Sequence, residues 1–214
     1  MVDMELKSVE KIKALIESIE TVTGESYEDL TEAVQALKDY YLIDIITGYT
    51  FCDNKTITRI NIYLPHPMVE FSATFSGASS LKYIKGINLS KCQRMINTFL
   101  SCPVEVIEEP CDVSSLINNA YNHTFIHANR LKEIRFILET IKANIAFGSY
   151  VLSGESIQSI FGGLNSEATG NTLTLRRNAV KKAFETSEGA NDGDTSETWN
   201  ALVASKPNWT ITLN

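Results

Sequence analysis

The sequence predicts an α+β chain built on a short repeat solenoid of about four rungs, with a helical hairpin before it and an α/β cap after it. Three observations carry this expectation. The dipeptide Thr-Phe occurs at 50–51, 74–75, 98–99 and 124–125, at spacings of 24, 24 and 26 residues. Each copy is followed, in a common frame, by one aliphatic residue and then an isoleucine. The chain of 214 residues is 43% hydrophobic, enough for a sizeable core and too apolar for disorder.

Residues 1–45 form the first expected unit. Leu6, Val9, Ile12, Ile16 and Ile19 recur at helical spacing, and the later part of that series fits a coiled-coil seam. Gly24 ends this helix, and Ser26-Tyr27-Glu28-Asp29 reads as a capping box opening a second helix through Leu30, Val34 and Leu37. Two roles stay open for the pair: capping the first rung, or association with further copies of the chain.

Residues 46–150 form the second unit. Phe51 is followed by Ile57 and Ile60, Phe75 by Leu81 and Ile84, and Phe125 by Leu131 and Ile134. The Phe99 unit is one residue shorter and gives Val104 and Ile107 after Pro103. These twelve residues are the expected core, because one such unit cannot bury its apolar face alone and stacking makes the core continuous. Small polar turns such as Ser76-Gly77-Ala78-Ser79-Ser80 stand between phenylalanine and strand. The competing reading is an ordinary α+β domain in which the phenylalanine spacing is coincidental. Strand alternation puts the residues on either side of each isoleucine on the outer face. That face is expected to carry Arg59, Tyr83, Lys85, Glu108, Glu133 and Arg135. Lys85, Glu108 and Arg135 then form a ladder of alternating charge, with Glu108 pairing on both sides and Tyr83 facing solvent.

Residues 151–214 form the third unit. Ser153 is an N-cap for a helix carrying Ile157, Ile160, Phe161 and Leu164, stopped near Gly162-Gly163. Thr172–Leu175 alternates as a strand, 178–186 and 195–205 are helical, and Trp209–Leu213 is a closing strand.

Charge and motifs bound the chemistry. Nineteen basic residues against 26 acidic ones give a net charge of −7, which argues against a nucleic-acid partner. No run of about 18 apolar residues suggests membrane insertion, and residues 1–7 lack the basic and apolar regions of a secretory signal. Cys52, Cys92, Cys102 and Cys111 contain no CxxC pair and read as reduced thiols. His123 and His127 are four apart but sit in a polar turn, so neither a metal nor any other cofactor is expected. Glu108-Glu109 with Asp112 reads as solvated charge, Arg176-Arg177 and Lys181-Lys182 as a basic surface, and no nucleophile elbow or phosphate loop is present. A non-enzymatic protein is the expectation.

Two of the repeat units carry a family resemblance. Thr74-Phe-Ser-Gly-Ala-Ser-Ser-Leu-Lys-Tyr-Ile84 and Thr124-Phe-Ile-His-Ala-Asn-Arg-Leu-Lys-Glu-Ile134 resemble the BspA-like leucine-rich repeat, an aromatic, a small polar turn and then Leu-x-x-Ile. The resemblance covers about residues 49–138, and the Phe99 unit departs from it by its deletion and proline. The segment after the repeats is similar to the C-terminal region that follows them in many phage-encoded proteins of Gram-positive and gut bacteria. Residues 23–34 resemble segments at the N-termini of phage tail and baseplate proteins. The resemblance implies a leucine-rich-repeat solenoid in a bacteriophage virion structural protein of the tail, baseplate or head fibre, assembled in the host cytoplasm. Its implied partners are other virion proteins, further copies of itself as a homo-oligomer, and a host cell-surface ligand. A bacterial cell-surface adhesin of the same repeat family is the alternative, and it predicts a signal peptide or wall anchor.

Overall fold

A computed structural model describes residues 49–61, 69–116, 123–184 and 196–214, together with the single positions Glu17 and Ser26. The first sheet contains β1 (Arg59–Asn61), β2 (Tyr83–Lys85) and β3 (Val106–Ile107), in that order and all parallel. Its register aligns Arg59 with Tyr83 and Val106, and Ile60 with Ile84 and Ile107. The second sheet contains β4 (Ile145–Ala146), β5 (Asn171–Leu175) and β6 (Trp209–Leu213), again parallel and in sequence order. The helices are α1 (Gly154–Gly163), α2 (Arg177–Phe184) and α3 (Glu197–Ala204).

This architecture corrects the expected fold class. The described chain makes two small, separate three-stranded sheets and three helices, and no sheet runs through four repeats, so a solenoid is not supported. The physical reason lies in the third and fourth units. The Phe99 unit, one residue shorter before Pro103, has a β3 only two residues long, and the Phe125 unit adds no strand, only isolated bridges of Val106 to Glu133, Cys111 to Phe136 and Phe125 to Phe147. The ladder stops there, and the second sheet pairs Ile145 with Leu173 and Leu173 with Ile211, outside the 24-residue period. The expected N-terminal helical hairpin falls on residues 1–45, which apart from Glu17 and Ser26 lie outside the described residues.

The repeated phenylalanines nevertheless meet one another. Phe51, Phe75, Phe99 and Phe125 stack with successive ring centroids 5.6 Å apart, and Phe147 continues the column at 5.0 Å. The rings lie within 9–23° of parallel, while Phe71 and Phe136 meet the column edge-on at 82–84°. Offset stacks and edge contacts of this kind suit the ring quadrupole. The backbone is tied in the same direction, with Phe51 N–H donating to Thr74 O at 2.9 Å and Phe75 N–H to Thr98 O at 3.0 Å. Tyr49, Ala73, Asn97 and His123, each just before a Thr-Phe, all take positive φ of 52–67° and bend the chain into the column. Two residues beyond the phenylalanines, Asp53, Gly77 and Ser101 do the same. Glycine suits position 77, where φ is 68° and a Cβ would displace the Asp53 carboxylate, 2.1 Å away.

The threonines serve the backbone beneath the rings. Thr74, Thr98 and Thr124 are fully buried, and the Thr74 and Thr98 hydroxyls donate to Phe71 O at 2.9 and 3.0 Å. Thr98 is also 2.7 Å from Met95 O, which Thr124 reaches too. A β-branched hydroxyl thus satisfies carbonyls that water cannot reach.

Helix α1 replaces the missing ladder beyond the Phe125 unit. Its N-cap Ser153 accepts from Ser156 N–H at 3.2 Å. The next serines on the same helix face serve the backbone of the Phe125 unit: Ser156 Oγ accepts from Ile134 N–H at 3.0 Å, and Ser159 Oγ from Phe136 N–H at 2.9 Å. Serines at intervals of three therefore pair a backbone that would otherwise be open. The adjoining face of α1 buries Ile157, Ile160 and Phe161, and Trp199 of α3 packs edge-on against Phe161 at 5.5 Å.

Lys206 fastens the chain end. It is 7% exposed, and its ammonium donates to Glu139 Oε1 at 2.6 Å, to Ser166 Oγ at 3.2 Å and to Leu164 O. Trp209 Nε1–H donates to Asn165 O at 2.9 Å beside it.

Candidate functional site

The frame Leu-x-x-Ile turns its apolar members inward. Ile57, Ile60, Phe75, Leu81, Ile84, Phe99, Val104, Ile107, Phe125, Leu131 and Ile134 are all buried. Phe51, at the end of the column, is half-buried and packs against the core.

The intervening residues turn outward and form one face. Parallel pairing sets Arg59 beside Tyr83, and the Arg59 guanidinium carbon lies 4.2 Å from the Tyr83 ring centroid. Tyr83 is consequently half-buried under its neighbour, where a freely solvent-facing aromatic was expected. Lys85 Nζ meets Glu108 Oε1 at 2.9 Å. On the other side, Arg135 Nη2 donates to the Glu108 main-chain oxygen at 2.8 Å, where a carboxylate pair was expected. Glu133 turns instead to Lys132, 3.4 Å away, and Lys82 to Glu105 at 3.6 Å. These pairs are well exposed and contribute about 0–1 kcal/mol each, so their main effect is to order the face. Tyr83, Glu108, Glu133 and Arg135, with Glu155 and Ser156 of α1, line a groove of ≈ 560 Å³.

The remaining polar candidates have structural partners. Glu109 accepts from Gly86 N–H at 2.6 Å and Asp112 from Ser114 N–H at 3.0 Å, which accounts for the acidic cluster. His123 and His127 stack edge-on at 6.0 Å, and among the described residues no group of three His, Cys, Asp or Glu is placed to hold a metal. The cysteines are unbridged; burial pushes the Cys92 and Cys111 thiols up to about 12 and Cys102 to about 11. Burial therefore favours their neutral, weakly nucleophilic form. Glu139 is held below the usual carboxylate range, chiefly by its hydrogen bond from Lys206. Of the basic pairs, Arg176 lies over the Tyr150 ring at 5.2 Å, and Lys182 lines a second cavity together with that tyrosine.

Several contributors were not singled out by the sequence reading. Phe147 joins the column 22 residues after Phe125, with Ala146 in place of the threonine, and its short interval was the available signal. Tyr150, Glu139 and Lys206 carry no motif and become visible only through their tertiary partners.

Among the described residues no helix is long and apolar enough to cross a membrane. The chain matches no protein-family model, no curated protein and no solved structure.

Proposed function

We propose that this chain is a non-enzymatic bacteriophage virion structural protein, of the tail, baseplate or head fibre, that presents its repeated outer face for adsorption or for contact with neighbouring proteins. The observation that supports it most is the division of labour within the repeats. The inward residues build one continuous aromatic column, while Arg59, Tyr83, Lys85, Glu108 and Arg135 are held in order on a single face. A rigid platform with a pre-ordered polar face loses little entropy when it binds, which suits recognition. The resemblance of residues 74–84 and 124–134 to BspA-like repeats supports the same reading, with residues 1–45 as the segment that attaches the chain to the particle or to further copies of itself. The titratable groups of the face are paired to each other or to backbone rather than gathered on one reacting atom.

Particles purified on a density gradient from a lysate of bacteria carrying the gene test the proposal. Recovery of the chain by mass spectrometry at a fixed ratio to the major capsid protein is expected. A chain found only in the soluble fraction, with none in the particles, would overturn it.

A further inference from the structure

A cavity of ≈ 790 Å³ opens where the Phe125 unit meets the start of α1 and the end of α2. Its charged lining is Arg130, Lys132 and Lys182 against the single carboxylate of Glu105. Glu105 is already bridged to Lys82, and Lys132 to Glu133. Arg130 and Lys182 have no ion-pair partner among the described residues. Two unpaired cations at one cavity are notable in a chain of net charge −7, where carboxylates are the commoner surface group.

The rest of the lining is of a different kind. Tyr150 is 46% exposed and Val151 37%, and the Arg176 guanidinium stacked on Tyr150 holds that ring in place. Asn129 and Ser153 add neutral hydrogen-bonding groups. Partly apolar walls, a few polar side chains and a volume inside the usual range of about 300–1,000 Å³ fit a small-molecule site.

We propose that this cavity binds a hydroxylated, sugar-sized ring that carries one carboxylate or phosphate group. Arg130 and Lys182, both exposed cations in its lining, supply charge-assisted hydrogen bonds to the anion. Tyr150 and Val151 cover the apolar face of the ring, and Asn129 and Ser153 take its hydroxyls. The cavity lies beside the outer strand face, and its ligand chemistry is independent of whether the chain is part of a virion.

Isotope-labelled full-length protein should be titrated with glucuronate, glucose 6-phosphate, glucose and inorganic phosphate, with amide shifts followed at residues 129–132, 150–154 and 182. Glucuronate or glucose 6-phosphate is expected to shift these amides saturably, and the better of the two identifies the anion. Glucose and inorganic phosphate should each bind at least about tenfold more weakly, because each lacks half of the recognised chemistry. Arg130→Gln/Lys182→Gln should lose at least about tenfold in affinity for the charged sugar with no change in unfolding temperature. Tyr150→Ala should weaken both charged sugars and leave inorganic phosphate unaffected. Glucose binding as well as glucuronate, phosphate as well as glucose 6-phosphate, shifts confined to other residues, or a double variant that binds like the parent would each overturn the proposal. The comparison of probes on the unmodified protein decides the matter even if a variant fails to fold.

Discussion

Phe99 sits in the middle of the aromatic column, and truncating it is the sharpest perturbation of the core. The residue is 2% exposed and stacks on Phe75 and Phe125 at 5.6 Å on either side. Phe99→Ala removes the buried ring and leaves a cavity whose walls are other aromatics held by their own backbone bonds, so little collapse is available. A loss of about 3–5 kcal/mol is expected, as for buried Phe→Ala changes in general. Each broken stack accounts for about 0.5–1.5 kcal/mol beyond the buried area. Phe75→Ala should cost the same, since Phe75 is fully buried against Phe51, Phe71 and Phe99. Phe51→Ala should cost distinctly less, because that ring is half-buried and, among the described residues, stacks on Phe75 alone. The assay is urea unfolding followed by circular dichroism and by tryptophan fluorescence. Trp199 and Trp209 both lie beyond the repeats, so a shared midpoint shows that the column and the C-terminal sheet unfold together. Changes under about 1 kcal/mol for both Phe75→Ala and Phe99→Ala would refute the idea that the column is the core.

Four further outcomes follow from named contacts. Gly148→Ala should destabilise by about 3 kcal/mol or more in the same assay, because a Cβ at 148 would stand 1.8 Å from Ile126 O, a backbone atom that cannot swing aside. Thr98→Val keeps the volume but loses the buried hydroxyl; the Phe71 and Met95 carbonyls keep other donors, so about 0.5–1.5 kcal/mol is expected. Glu139 has its folded pKa lowered by the Lys206 hydrogen bond, so its contribution is fully present above the ordinary carboxylate value of about 4.3 and is lost as pH falls through the lower folded value. The carboxylate is 44% exposed, which limits the pair to about 1 kcal/mol at pH 7, and the stability gap between parent and Glu139→Gln should close at low pH. At pH 8 a thiol reagent should modify half-buried Cys52 first and reach Cys92, Cys102 and Cys111 only on unfolding, as timed labelling with mass spectrometry would show.

The sequence carried local order well and long-range order poorly. The outer face of each strand was legible because alternation turns the residues on either side of a buried isoleucine outward, and the register of Arg59, Tyr83 and Val106 follows from the common spacing after each phenylalanine. Ser153 and the helix after it were legible because a cap and a 3.6-residue stripe are local signals. The extent of the sheet was not. Whether a ladder continues through Glu133 depends on what packs there, and the serines of α1 take those backbone groups in place of a further strand. Tyr83 was expected in solvent because alternation assigns a face without saying which neighbour will lie across it; Arg59 does. Tyr150 and Arg176 are 26 residues apart and Glu139 and Lys206 are 67 apart, and neither pair has a pattern that spacing could reveal.

The central claim is that one face of the repeats builds the core while the other is a recognition surface. Adsorption of the phage to its host cells, in the presence of excess purified protein, tests it directly. Parent protein should compete and slow adsorption, and Arg59→Ala/Tyr83→Ala should fold with an unchanged unfolding midpoint and fail to compete. A double variant that competes as well as the parent, or a parent protein that does not compete at all, would contradict the claim.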